Sequence, residues 1–295
     1  MNIKKVWLNR KYIFKLACKW TAAIYSFVGF ICVFASFDEI FTDETSLWIK
    51  LLVGIGVLIL VWVFFVINIS IWFYRKKWIE VLDVGNDKHV YVQYGDVFSA
   101  DEIKETDTHR NIVIPVNRCF DTVVNDDLIG SRTLHGIAFK KLYSNGRYSD
   151  VSLNNALQND LERQKCEFEI ITSNDKRDGN LKRYPVGTVA EIKDGDVTYF
   201  FLGLSRFNYN LKAETSDEDF VLAMMKLIEY CYERSQENPV IMPIIGAGLS
   251  RTDKNEKDLL EYIVKLIKLN RNLIKSDIHI VVRNSGKESI SITDL

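Results

Sequence analysis

The sequence predicts an α/β domain preceded by a hairpin of two membrane-spanning helices. Two uncharged apolar runs, residues 20–37 and 51–73, contain 18 and 23 residues. At about 1.5 Å per residue, each run can cross a hydrocarbon core of about 30 Å. Strand-like apolar runs then alternate with helical patterns, which is typical of a sheet covered by helices. We therefore divide the chain into residues 1–79, a basic segment with the transmembrane hairpin, and residues 80–295, a cytosolic domain.

Two other interpretations of the apolar runs fit less well. Buried helices of a globular core rarely extend this far without a charge. A signal peptide would start earlier and end at a small-residue cleavage site, and the chain has no such site between the two runs.

The charges that flank the runs predict their orientation. Residues 1–19 carry six basic side chains and no acidic one, and the second run ends at Arg75, Lys76 and Lys77. The short connection between the runs holds four acidic residues. If each apolar run crosses the membrane once, the positive-inside rule predicts that both termini are cytoplasmic.

Composition limits the partners of the second part. Residues 1–79 have a net charge of +6, whereas residues 80–295 have a net charge of −7. An acidic domain argues against non-specific binding of nucleic acid. The five cysteines form no close pair and the chain has only four histidines, so no disulfide and no zinc site is predicted.

The sequence of residues 80–295 predicts a mixed sheet with helices. Strands are expected at 89–94, 111–116, 168–172, 240–245 and 278–282, a hairpin at 185–192 and 198–204 around Asp194-Gly195, and helices at 154–165, from Ser216 onward, and at 256–270. Ligands of open α/β sheets bind beyond the carboxyl ends of strands, so the chemistry is expected there.

One such strand end contains two glycines. Strand 240–245 leads into Gly246, Ala247, Gly248, Leu249, Ser250 and Arg251. Two glycines let backbone N–H groups approach an anion such as a diphosphate, although a plain tight turn is the alternative. Arg251 stands where a dinucleotide fingerprint has its third glycine, and the Lys-Ser/Thr of a Walker loop is missing.

Three further segments give this loop a context. They are Gly95-Asp96-Val97, then residues 116–122, which read Val-Asn-Arg-Cys-Phe-Asp-Thr, and then residues 184–188, which read Tyr-Pro-Val-Gly-Thr. With the late glycine loop, and in this order, they resemble the macro domain, an ADP-ribose-binding fold. The resemblance covers most of residues 85–285 and implies a three-layer α/β/α domain.

The resemblance implies a role for each candidate residue. Asp96 would accept the adenine amino group with the Val97 backbone beside it. Residues 246–250 would hold the diphosphate, and Arg251 would add a phosphate contact. The distal ribose and its substituent would be surrounded by Asn117, Asp121, Gly130, Ser131, His135 and Gly136. From the residues alone, Asp96 can equally be a local cap, Asn117 can bond its own backbone, and His135 can be a packed side chain.

Departures from the family pattern bear on catalysis. Macro hydrolases continue Val-Asn-Ala-Ala-Asn and then carry a run of glycines, whereas this chain has Asn117-Arg118-Cys119-Phe120-Asp121 and later Gly130-Ser131-Arg132. The second Asn and the glycine run are missing. We therefore assign no catalytic residue, no metal and no cofactor, and we expect a pocket that binds a substituted ADP-ribose.

A two-span hairpin joined to a divergent macro domain resembles the transmembrane-macro effectors of Thoeris antiphage defence. The resemblance implies a bacterial inner-membrane protein with its macro domain in the cytoplasm. A TIR-domain partner would make the signal from NAD⁺, here histidine-linked ADP-ribose. Binding would drive homo-oligomerisation that disrupts the lipid bilayer. Two alternatives remain, namely a membrane-anchored ADP-ribosyl hydrolase or reader of ADP-ribosylated proteins, and a scaffold with a vestigial pocket.

Overall fold

The protein forms two compact units in its computed structural model. The structure describes residues 3–32, 46–103, 109–248, 255–284 and 289–293. The first unit comprises Met1–Lys77 and the tail Lys287–Asp294, and the second comprises Trp78–Gly286 with Leu295. The division after residue 77 lies beside the boundary expected after residue 79. The tail, however, groups with the N-terminal helices and not with the domain before it.

In the part of the first unit that the structure describes, the chain forms three helices, α1 (Ile3–Leu8), α2 (Arg10–Cys32) and α3 (Leu47–Arg75). Helix α3 contains the whole of the predicted second span, 51–73. Among the described residues it is the one helix with the length and apolar composition needed to cross a membrane.

Helix α2 differs from the predicted first span, 20–37. It begins at Arg10 and includes four basic residues before Trp20, because lysine and arginine form helices readily and do not end one. The last part of the predicted span, residues 33–37, and the connection to residue 45 lie outside the described residues. The two-pass topology therefore stays a prediction.

Helix α3 exposes most of its apolar surface. Its buried residues are Ile69 and Phe73, while Leu52, Leu60 and Phe64 are each 60% or more exposed. The polar side chains deep in this helix bond their own backbone: Asn68 Nδ2 donates to the Phe64 carbonyl at 2.8 Å, and Ser70 Oγ donates similarly one turn back. A helix with such a surface is suited to a lipid environment, where its polar groups stay internally satisfied.

The described part of the C-terminal tail is held by one buried side chain of the first unit. Asn9, which is 0% exposed, accepts three hydrogen bonds at its Oδ1 atom. The donors are Ser291 Oγ at 2.9 Å, the Ile292 backbone N–H at 3.1 Å and Thr293 Oγ1 at 2.8 Å. Asn9 thus joins the two ends of the chain.

We expect Asn9→Leu to release this tail. Leucine has a similar volume but no acceptor, so the Ile292 N–H loses its partner, and the Ser291 and Thr293 hydroxyls keep only their 3.3 Å contact with each other. Each buried group left unpaired costs about 1–3 kcal/mol. Hydrogen exchange of the full chain in detergent should be faster at residues 289–293. Asn68→Leu is the control, because Asn68 bonds its own helix. Unchanged protection of the tail in Asn9→Leu would contradict the assignment.

The described residues of the second unit form ten strands, four helices and two short 3₁₀ turns. The strands are β1 (Trp78–Gly85), β2 (Lys88–Gly95), β3 (Arg110–Asn117), β4 (Glu169–Ile170), β5 (Lys182–Arg183), β6 (Val189–Asp194), β7 (Val197–Phe207), β8 (Ala213–Glu214), β9 (Val240–Pro243) and β10 (Ile278–Arg283). The helices are α4 (Leu134–Ser144), α5 (Asp150–Arg163), α6 (Asp217–Arg234) and α7 (Glu256–Leu269), and the 3₁₀ turns are Ala100–Glu102 and Arg271–Leu273.

The main sheet is mixed, as the sequence predicts. Its strand order is β1-β2-β10-β9-β3-β7-β6, with β8 paired to β7. The five central strands, from β2 to β7 in this order, run parallel, whereas the outer strands β1 and β6 are antiparallel to their neighbours. The carboxyl ends of five strands therefore meet at one edge of the sheet.

Helices cover both faces of this sheet. The ring of Phe200 lies 5.3 Å from that of Tyr230 in α6, and the next residue, Phe201, lies 5.1 Å from Phe139 in α4. Successive side chains of a strand point to opposite faces, so α4 and α6 lie on opposite sides of the sheet. This confirms the predicted three-layer α/β/α arrangement.

Several elements were predicted correctly from local sequence signals. The Asp194-Gly195 turn joins β6 and β7, with Asp194 opposite Val197. Ser216 caps α6 by accepting a hydrogen bond from the Asp219 N–H at 3.1 Å.

Besides the two-residue strands β5 and β8 and the two 3₁₀ turns, strand β1 and helix α4 of the second unit were not predicted. Helix α4 begins directly after a loop and has Gly136 in its first turn, which hides its apolar period. As a result, His135 and Gly136 lie on a helix that the sequence analysis did not predict.

Candidate functional site

A large cleft lies at the edge of the sheet where the parallel strands end. It has a volume of about 1420 Å³, and residues at or just after the ends of all five strands line it. These include Asp96 after β2, Asn117 of β3, Phe207 of β7, Gly246 after β9 and Asn284 after β10. The cleft exceeds the 300–1,000 Å³ that is usual for small-molecule pockets, so it can take an extended ligand.

The structure brings most of the predicted site residues to this cleft. Eight of them line it, namely Asp96, Val97, Asn117, Gly130, His135, Gly246, Ala247 and Gly248. Three do not, namely Asp121, Ser131 and Gly136. Leu249, Ser250 and Arg251 lie outside the described residues.

The Asp96 side chain accepts a local hydrogen bond and is still exposed at the cleft. Its Oδ1 accepts a hydrogen bond from the Phe98 N–H at 3.0 Å, and its own N–H donates to Glu102 Oε1 at 3.1 Å. The residue is exposed at the cleft beside the buried Val97. A carboxylate offers about four acceptor sites, so the local cap leaves acceptor capacity for a ligand.

Asn117 presents a buried donor. It is 3% exposed, and its Oδ1 accepts from the Cys119 N–H at 3.0 Å. A backbone N–H can only donate, which fixes the orientation of the amide. The Nδ2 atom then has no hydrogen-bond partner among the described residues. Such a donor costs about 1–3 kcal/mol when buried unpaired, so a ligand acceptor beside it would be strongly favoured.

The middle of the cleft suits an anion. Thr133, Leu134 and His135, at the start of α4, line it together with the Gly246 loop. Helix N-termini carry unpaired N–H groups and partial positive charge. Gly246 has a φ of +85°, which lies in the left-handed region of backbone conformation. Residues with a side chain rarely adopt this region.

Four cationic side chains that line the cleft were missed by the sequence analysis, namely Arg132, Lys141, Lys212 and Arg283. All four are exposed, and Arg283 is paired with Glu256, which also lines the cleft. Lys141 also lies over the Phe98 ring at 5.1 Å. Lys141 lies on the unpredicted helix α4 and Arg132 lies just before it, whereas Lys212 comes from the segment between β7 and β8.

His135 is a neutral side chain. It is 8% exposed and packs against Phe139 with ring centroids 4.5 Å apart. Burial lowers the pKa of His135 to about 3, although a hydrogen bond to the Asp121 backbone carbonyl opposes the shift. Its Nε2 atom has no partner in the part of the chain that the structure describes.

The expected contact of Asp121 with the ligand is not supported. Its Oδ2 accepts from Lys176 Nζ at 2.6 Å and its Oδ1 accepts from the Asn180 N–H at 2.6 Å. Burial raises the pKa of the Asp121 carboxyl, and the Lys176 ammonium counteracts the rise. Lys176 is itself 0% exposed. The sequence could not show this pairing, because the partners are 55 residues apart.

Ser131 and Gly136 support the cleft wall without lining it. The Ser131 N–H donates to Asp126 Oδ1 at 2.6 Å. A Cβ atom on Gly136 would lie 2.3 Å from the Gly130 carbonyl oxygen, so only glycine lets α4 approach this closely. Ser131 and Gly136 therefore shape the Gly130 turn, and neither lines the cleft in which their ligand contacts were expected.

One group of possible metal ligands occurs elsewhere in the described residues. Oxygen or nitrogen atoms of Glu80, Asp83 and His89 lie within 4.8 Å of one another on the β1–β2 hairpin. The two acids are exposed and none of the three lines the cleft. This group of side chains therefore lies outside the candidate site.

Comparison with known proteins places this geometry in a family. A family model described as "Thoeris protein ThsA, Macro domain" matches residues 90–283. A curated relative, "Thoeris protein ThsA" of Bacillus amyloliquefaciens (strain Y2), is 22% identical over 246 residues, which cover 82% of this chain and 74% of that protein. The family match runs from β2 to the end of β10 and includes the loops that line the cleft.

Proposed function

Because the chain belongs to the family of Thoeris ThsA proteins with a macro domain, we propose that its cleft binds an ADP-ribose-type signal in antiphage defence. The buried Asn117 Nδ2, without a partner among the described residues, carries this proposal. Asp96 and Val97 at the end of β2 would take the adenine. The Gly246 loop and the start of α4 would take the diphosphate.

Charge supports the placement of the diphosphate. Its two negative charges would face Arg132, Lys141 and Lys212, and the N-terminus of α4 adds favourable dipoles. Arg283 also lines the cleft, and so do the carboxylates of Asp96, Asp126, Asp127 and Glu256, so the proposed contacts depend on individual cations and not on an excess of positive charge. Asn117 and His135 would then meet the distal ribose and its substituent, which we take to be the histidine of histidine-linked ADP-ribose.

We propose binding without hydrolysis, because neither His135 nor Asp121 is suited to act as the general base of that reaction. A general base works best with a pKa near the operating pH. His135 has a pKa of about 3, and both oxygens of Asp121 accept hydrogen bonds within the protein. Turnover of bound ADP-ribosyl ligand would restore the hydrolase alternative.

The membrane step extends the proposal. Helix α3 has the composition of a membrane span, and we propose that it pairs with the earlier apolar run to anchor the chain in the inner membrane. A TIR-domain partner would supply the signal. Two helices from one chain cannot enclose a pore, so ligand binding would gather several chains and thereby disrupt the bilayer.

Vesicle leakage tests this function. We expect full-length protein in dye-loaded liposomes to release dye when histidine-linked ADP-ribose is added, and its particles in detergent to grow larger. Asn117→Leu should abolish both effects by removing the buried donor. Asn174→Leu, at an exposed position outside the cleft, should behave as the unmodified chain. Equal leakage and equal size with and without ligand would contradict the proposal.

A further inference from the structure

We propose that Glu102 is the positioning residue for Asp96, and that its buried carboxylate thereby sets the preference of the cleft for an adenine base. The inference rests on the proposed function and deepens it, because it names the group that holds the base-recognising end of the same site. Glu102 does not line the cleft, so it acts on the ligand through Asp96.

The first step is the turn that brings Glu102 back to Asp96. The Ser99 N–H donates to the Asp96 carbonyl at 3.0 Å, and Ser99 Oγ accepts from the Asp101 N–H at 3.2 Å to cap the following 3₁₀ turn. Glu102, at the end of that turn, is 5% exposed. Its Oε1 atom accepts from the Asp96 N–H at 3.1 Å. The backbone of Asp96 is therefore held by a buried side chain six residues later.

The second step is the attachment of Glu102 to the sheet. Gln93 of β2 donates through Nε2 to Glu102 Oε2 at 2.7 Å and to the Glu102 carbonyl at 2.6 Å. Trp78 of β1 donates through Nε1 to the same carbonyl at 3.0 Å. Gln93 Oε1 lies 2.9 Å from His279 Nδ1 in β10. Three neighbouring strands thus determine where the Glu102 carboxylate lies.

The third step is the space that Gly95 leaves for this carboxylate. A Cβ atom on Gly95 would lie 2.2 Å from Glu102 Cδ and no more than 2.3 Å from either carboxylate oxygen, which is far inside van der Waals contact. The glycine that precedes Asp96 is therefore required by a contact within the protein. Gly95 and Glu102 together present Asp96 to the cleft.

The fourth step is the need for two acceptors at position 102. The Asp96 N–H and Gln93 Nε2 face the two oxygens of Glu102. A glutamine there has one oxygen and one NH₂ group, so in either orientation one donor would face another. Gln93 cannot relieve this by rotating its amide, because its Nε2 also donates to the Glu102 carbonyl, which can only accept.

The last step connects this backbone to the base. Asp96 Oδ1 accepts from the Phe98 N–H at 3.0 Å, so the side chain is fixed relative to the backbone that Glu102 holds. A shift of that backbone moves the carboxylate away from the adenine amino group. Hypoxanthine carries a carbonyl oxygen in place of this amino group and would set two acceptors against each other. A site that hydrogen-bonds one ligand group rejects an analogue without it.

Hydrogen exchange of the ligand-free full chain in detergent reads the contact itself. We expect the Asp96 amide to exchange about tenfold faster or more in Glu102→Gln, because the bond that protects it is broken or weakened. The amides of β2 should keep their protection, which shows that the strand is intact. Equal exchange of the Asp96 amide in both proteins would overturn the positioning role.

Calorimetry with ADP-ribose and its hypoxanthine analogue tests the effect on the base. We expect the unmodified chain to prefer ADP-ribose by about tenfold or more, and Glu102→Gln to lower this preference to about threefold or less. Gly95→Ala should do the same, because its new Cβ displaces the Glu102 carboxylate. Glu167→Gln, at an exposed position outside the cleft, is the control and should keep the full preference.

The outcomes separate this inference from the function itself. An unchanged preference in Glu102→Gln and Gly95→Ala would overturn the role of Glu102 while the proposed function stands. Equal affinity of the unmodified chain for both ligands would also overturn the inference, since the cleft would then have no base preference to set. Failure of the unmodified chain to bind ADP-ribose would overturn the proposed function and this inference with it.

Discussion

Replacing Lys176 by methionine is expected to lower the free energy of unfolding of the second unit by about 3–5 kcal/mol. Lys176 and Asp121 are 0% and 1% exposed and lie 2.6 Å apart. Without the ammonium, the Asp121 carboxylate is buried with only the Asn180 N–H to stabilise it. Urea titration with pulse proteolysis of the full chain in detergent would measure the loss.

Two controls show whether burial causes this effect. Asp121→Asn with Lys176→Met removes the unpaired charge and should recover a large part of the stability, since a neutral pair costs less to bury. Arg147→Met breaks an ion pair with Asp194 whose arginine is 60% exposed, and exposed pairs contribute about 0–1 kcal/mol. A Lys176→Met protein as stable as Arg147→Met would contradict the structural role of the buried pair.

Gly136→Ala should distort the cleft and weaken ADP-ribose binding by about tenfold or more. The new Cβ would lie 2.3 Å from the Gly130 carbonyl oxygen and 3.1 Å from the Ser131 Cα. These are backbone atoms, so the Gly130 turn or α4 must move, at about 1–3 kcal/mol in stability. Calorimetry and urea titration of the same variant would measure both effects.

Gly248→Ala provides the matched control for stability. Gly248 lies in the same cleft, but a Cβ there meets no atom within 4 Å among the described residues. We expect its free energy of unfolding to equal that of the unmodified chain within about 0.5 kcal/mol. If Gly136→Ala were equally harmless to stability and binding, the close approach of α4 to Gly130 would not be required.

Much of the fold could be predicted because its signals are local. The Asp194-Gly195 turn and the Ser216 cap each depend on residues within four positions of one another. The strands of the parallel core are apolar because they are buried on both faces. Helix α4 could not be predicted in this way, since Gly136 in its first turn is required by contact with Gly130 and contradicts helix propensity.

The candidate site was predicted in part for a similar reason. Asp96, Asn117 and Gly246 follow strands, and the parallel topology brings strand ends together. Asp121 also follows a strand closely, yet it pairs with Lys176, which lies far along the chain. Lys212 was missed because the segment after β7 carries no recognisable motif. Contacts between distant segments are set by tertiary packing and leave no periodic signal.

Calorimetric titration of the full chain in detergent with ADP-ribose and histidine-linked ADP-ribose would show directly whether the cleft binds the signal. The recovered ligand should be analysed for breakdown. We expect saturable binding of intact ligand, tighter for the histidine-linked form, and loss of binding in Asn117→Leu but not in Asn174→Leu. No binding of either ligand would contradict the assignment of the cleft, and turnover of the bound ligand would contradict its role as a sensor.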